Sequence, residues 1–170
     1  AVKKMEQTAS TKSSPHFFGA GSEKNRSETQ APTEAMIQKE VVPALIQVIK
    51  DEDMHADIRG GALIALARTG GGKAHVAEFF KYADFKTKAD QLVQESAIIA
   101  LGILQIKDPE IRNFLIKLID EVDENYRPRC FAALSLGLLE DNHPDVYAAL
   151  ERCLTSREKN PDVPVCALSA

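Results

Sequence analysis

The chain has 170 residues, 44% of them apolar, and a formal charge of −4. That is enough for one domain with a sizeable core, and the wrong sign for a partner held mainly through phosphates, whose affinity comes from clustered Lys and Arg. No lysine or arginine run occurs and no apolar stretch approaches the roughly 18 residues that span a bilayer, so neither nucleic acid nor membrane is an expected partner.

From Ala1 to about Thr33 the sequence is dominated by Ser, Thr, Lys, Gln and Glu, with His16, Phe17 and Phe18 as its one apolar point. Burial there cannot offset the entropy of ordering, and residues 1–33 are expected to be a disordered tail. It lacks the apolar core of a signal peptide. The chain begins at Ala, which is compatible with a leader removed earlier, and the cellular address stays open.

After the tail a pattern returns every 35 residues: Ala62, Ala97, Ala132 and Ala167 share one place, and Leu66, Leu101 and Leu136 another. Upstream, Val41, Val76, Ile111 and Val146 share a third, and Leu45, Phe80, Leu115 and Leu150 a fourth. A fixed period of this length signals stacked units, none of which can bury its apolar face alone.

Each unit reads as two helices around a polar turn. In the first unit Val41, Leu45, Val48 and Ile49 form one stripe, with Gln47 and Lys50 opposite, so the leading helix is amphipathic. In the second helix Ile58, Ala62, Ala65, Leu66 and Thr69 are expected to face the core. Ile64 and Ala67 on its far side are apolar too, as are the runs 97–104 and 132–139. A helix apolar all round is buried on most sides, so the second helices are expected to form an inner layer. Gly102 and Gly137 occupy the same place in that layer, where Gly costs about 1 kcal/mol against Ala, which points to close helix approach.

Gly70, Gly71 and Gly72 separate the first two units, and Asp108–Pro109 and His143–Pro144 restart the third and fourth. Gly70 to Lys73 lacks the preceding strand and the spacing of a phosphate loop. The three cysteines are odd in number and lack the short spacings of metal sites. Cys153 stands in register with Val48, Ala83 and Leu118, and Cys166 with Gly61, Ser96 and Phe131. Free thiols are the expectation, which mildly favours a reducing compartment.

The pattern of a helix, an acidic turn and a second helix opening on an apolar residue then Arg resembles a HEAT repeat, of the HEAT-like type also found in bilin lyase subunits. The residues that carry it are Pro43, Asp53, Ile58, Arg59, Ala62, Ala65 and Leu66, repeated by Asp123, Arg129, Ala132, Ser135 and Leu136, and it extends over about 33–170. The resemblance implies a ladder of turn Asp with helix Arg, here Asp53 with Arg59 and Asp123 with Arg129. Lys88 and Gln94, then Glu158 and Pro164, interrupt it. Tetratricopeptide and pentatricopeptide repeats fit less well, because their Trp, Tyr and Pro places are missing.

The expected fold is all-α: a right-handed α-solenoid over residues 34–170, with units at about 39–73, 74–108, 109–143 and a truncated 144–170. The last unit has no polar cap, which suggests a piece of a longer array. No catalytic, cofactor or metal residues are expected. The His and Glu pairs of a di-iron HEAT enzyme are missing, as is the basic, aromatic face of HEAT-like DNA glycosylases. The expected function is a non-catalytic scaffold that binds another protein or a peptide; the alternative is part of an enzyme, such as a bilin lyase-like subunit, whose active site lies elsewhere.

Two surfaces are candidates for binding. On the inner helices Arg59, Gln94 and Arg129 recur, flanked by Arg68 and Glu95, as a concave polar row or as structural ladder residues. On the outer side Tyr82 and Phe85 replace Gln47 and Lys50 as an exposed aromatic pair; a shorter or rotated first helix would bury them.

Overall fold

Helix starts are set by side chains that satisfy the free N–H groups of a first turn. Asp90 accepts from the Leu92 N–H at 2.9 Å, Asp108 from Glu110 at 2.7 Å and Asn160 from Asp162 at 2.8 Å, while His55 and His143 use Nδ1 for the same purpose. Pro109 and Pro144 open the helices that follow Asp108 and His143, where a missing N–H costs nothing.

The computed structural model describes residues 32–84, 87–121, 126–155 and 160–170, which belong to one compact unit, Pro32–Ala170. The expected tail falls almost wholly outside these residues. A short helix α1 (Glu34–Met36) and a π turn (Ile37–Val41) lead into α2 (Val42–Lys50) and α3 (Ala56–Arg68). A 3₁₀ turn (Gly71–His75) precedes α4 (Val76–Ala83) and α5 (Gln91–Ile103); α6 (Pro109–Asp120), α7 (Arg127–Leu139), α8 (Pro144–Thr155) and α9 (Asp162–Ser169) complete the array. There is no strand among the described residues.

Each odd helix from α3 packs on the even helix before it, and α3, α5, α7 and α9 lie side by side as a continuous layer. This is a helical solenoid with an inner layer of second helices. Ala62, Ala97, Ala132 and Ala167 are all buried in it, and Leu66, Leu101 and Leu136 are sealed from solvent. The inner helices also end alike: Gly70, Gln105 and Glu140 all take a left-handed backbone, with φ of 74°, 52° and 53°. Such a residue stops a helix by turning the chain away from its axis.

Close approach within the layer is real. A Cβ on Gly102 would stand 2.7 Å from both the Cα and the carbonyl oxygen of Ser135, and one on Gly137 2.6 Å from the Cα of Ala170. The Ser135 hydroxyl reaches back to the Ile98 carbonyl at 2.9 Å and so pins α7 to α5.

Three local expectations are corrected. Ile58 is 52% exposed, not core-facing, although Val93 and Val163, its equivalents on α5 and α9, are fully buried. Those helices each have an inner helix before them in the layer, whereas no described helix precedes α3 there. Val41 is exposed and Val42 buried, because the π turn adds a residue to its coil and shifts the stripe by one position. In α4 the buried set is Phe79, Tyr82 and Ala83, while Phe80 is half-buried, edge-on to Phe114. This helix has 8 residues where α6 and α8 have 12, and its shorter, rotated course turns Tyr82 inward.

Candidate functional site

Arg59 and Arg129 hold equivalent places on α3 and α7 and make equivalent bonds. Nε of Arg59 donates to the Ile49 carbonyl at 3.1 Å, and Nε of Arg129 to the Ile119 carbonyl at 2.8 Å. Both acceptors lie in the last turn of the preceding helix, where carbonyls lack partners and carry partial negative charge. Each arginine therefore caps the first helix of its own hairpin. With 8% and 7% of their surface exposed, these side chains do not form an open polar row, and Gln94, the residue between them in the series, is buried too.

The expected ladder takes another form. No ion pair joins Asp53 to Arg59; the turn is held instead by the Asp53 N–H, which donates to the Asp51 carboxylate. Asp123 and Glu158 lie outside the described residues. Neighbouring units are joined by other charges. Glu95 on α5 accepts from Nε and Nη2 of Arg127 on α7 at 2.7 and 2.8 Å, and from Gln91 at 2.8 Å. Burial pushes the Glu95 carboxyl upward, but the bonds from Arg127 and Gln91 outweigh it and hold the group below the usual carboxylate range. Lys50 with Glu78 and Arg152 with Asp120 do the same on the outer layer.

Tyr82 is a correction. It is not an exposed aromatic but a buried one, with the Arg59 guanidinium 5.6 Å and the Lys81 ammonium 5.1 Å from its ring centre. Arg59 and Tyr82 are thereby brought together at a cleft of about 400 Å³, rimmed by Lys81, Lys88, Glu52 and Asp90. Phe85 lies outside the described residues. Arg68 is exposed at the end of α3.

What sequence reasoning missed is the solvent face of the inner layer. Ile64, Ile99 and Leu134 are equivalent residues on α3, α5 and α7, and each is only half-buried. On α5, Leu92 and Ile103 share the helix face of Ile99; on α7, Phe131 and Leu138 share that of Leu134. Leu92 is 38% and Leu138 42% exposed. An apolar stripe thus crosses three helices, with Arg68 on its edge in the place that Ile103 and Leu138 take further on. Its signal is the all-round apolar character of these helices, which points to burial on most sides without saying which side stays open.

Among the described residues no group of three or more His, Cys, Asp or Glu side chains could hold a metal ion, and no helix is long and apolar enough to cross a membrane. The family model for HEAT repeats matches residues 83–163. No curated protein matches the chain.

Proposed function

We propose, from the match to HEAT repeats over residues 83–163, which commonly serve as protein-interaction scaffolds, that this chain is a non-catalytic scaffold whose binding face is the apolar stripe of the inner layer. The observation that carries the reading is the partly exposed column of Ile64, Ile99 and Leu134. A contiguous apolar strip on a rigid layer loses favourable free energy while it faces water, and a protein surface or amphipathic peptide that covers it recovers about 25 cal/mol per Å².

The polar groups first suspected are engaged otherwise. Arg59, Arg129 and Glu95 hold helices together, which supports a division of labour: buried polar groups fix the spacing of the layer, and apolar groups on its open side make contact. Arg68 at the edge of the stripe suits a ligand with an acidic flank. The chain's net charge of −4 speaks against nucleic acid on the same face.

The test is a double substitution, Ile99→Glu with Leu134→Glu, at positions already in contact with water. Helicity and melting should stay near those of the unsubstituted chain, while capture of binding proteins falls at least tenfold. Capture at full strength by a folded double variant would move the binding face elsewhere, with the cleft at Arg59 and Tyr82 the next to be probed.

A further inference from the structure

We propose that Cys130 and Cys166 form a dithiol modification site that closes to a disulfide by exchange with a small-molecule disulfide, tying α7 to α9. Cys130 lies on α7 and Cys166 on α9, near enough for the Cys166 thiol to bear on the titration of Cys130. Both line one cleft of about 270 Å³, beside Tyr126, Phe131 and Asp162, which gives the sulfurs room to turn and a reagent a way in.

The backbone spacing at this crossing can be read from its counterpart. Gly60 and Ser96 stand two repeats upstream of Cys130 and Cys166, on α3 and α5, and a Cβ on Gly60 would lie 3.2 Å from the Ser96 Cβ. Disulfides need Cβ atoms about 3.5–4.5 Å apart. At that crossing the inner helices meet closely enough for a bridge, and Cys130 and Cys166 hold the same two places on α7 and α9.

The two thiols differ in access. Cys166 is partly exposed, whereas Cys130 is buried. Cys166 is the entry point: its thiolate attacks one sulfur of the reagent disulfide, that S–S bond breaks, and the departing thiolate takes up a proton. Cys130 then loses its proton and attacks Sγ of Cys166, which releases the second reagent thiol. Two protein thiols are oxidised to one disulfide, and one reagent disulfide is reduced to two thiols.

Ring closure depends on the Cys130 thiolate. Burial, then the neighbouring Cys166 and Asp162, push the Cys130 thiol up to about 12, against the opposing pull of Arg129. Arg127 and Tyr126 complete the charged and titratable surroundings. Far below that value the thiolate fraction rises about tenfold per pH unit, and closure should rise with it.

Glutathione disulfide is the probe, with the intact folded chain. Whole-protein mass should first gain one glutathionyl group and then settle two hydrogens below the reduced mass, with Cys130 and Cys166 in one cross-linked peptide. Cys130→Ser should stop at the adduct on Cys166, and Cys166→Ser should leave Cys130 unmodified in the folded protein. The oxidised form should melt higher, because the bridge restricts the unfolded chain. A glutathione adduct that persists in the unsubstituted chain overturns the proposal, as does a bridge that forms no faster than the chain unfolds.

Discussion

Gly61 and Gly102 sit inside neighbouring inner helices with opposite surroundings. Nothing stands within 4 Å of a Cβ built on Gly61, while one on Gly102 would strike the Ser135 backbone at 2.7 Å. Both would gain up to about 1 kcal/mol of helix propensity on substitution by Ala. For Gly61→Ala that gain stands, and melting should rise. For Gly102→Ala a clash with backbone has no cheap relief, so overpacking of about 1–3 kcal/mol wins and melting should fall. Equal shifts in the two variants would contradict the close approach of α5 and α7. Sequence alone showed Gly102 and Gly137 at a shared place and so foretold that approach. It did not tell Gly61 from Gly102, since what decides the sign is an atom from a helix more than thirty residues away.

At the scale of helices, Glu95 and Arg127 bridge α5 and α7 from unequal environments. The Glu95 side chain is 3% exposed and that of Arg127 50%. Removing the arginine leaves a buried carboxylate that keeps its bond from Gln91, and Arg127→Ala should lower stability at neutral pH. The acid dependence follows in sign. The folded carboxyl lies below its ordinary range, so the unfolded chain takes up the proton more readily. The stabilisation is complete above the unfolded value of about 4.3 and drains away as pH falls toward the folded one. Urea midpoints measured across that window should fall for the unsubstituted chain and change less for Arg127→Ala; parallel curves would remove Glu95 from the balance. Only the charges were legible here. The pairing of helix Arg with turn Asp implied by the family resemblance does not hold at Asp53 and Arg59, because the Ile49 carbonyl at a helix end is the acceptor that Arg59 reaches.

For the molecule as a whole, stability rests on contacts between successive hairpins, and α5 holds the middle of the described layer between α3 and α7. Leu101 is fully buried on it. Leu101→Asp places an unpaired charge there at a cost of several kcal/mol, comparable to the whole margin of an ordinary domain. Far-UV dichroism should show helicity lost throughout the array; a variant that melts like the unsubstituted chain would remove α5 from the core. The sequence by itself determined the helices, their pairing into hairpins and the inner layer, because these follow from the periodicity of apolar residues and from caps within a few positions of each helix end. Only the tertiary structure decided which apolar residues stay in contact with water and which polar ones do not. Ile99 and Leu134 look like core and remain partly exposed, Arg59 and Tyr82 look like surface and are buried, and in each case the cause is the neighbour that a helix in the next unit does or does not supply.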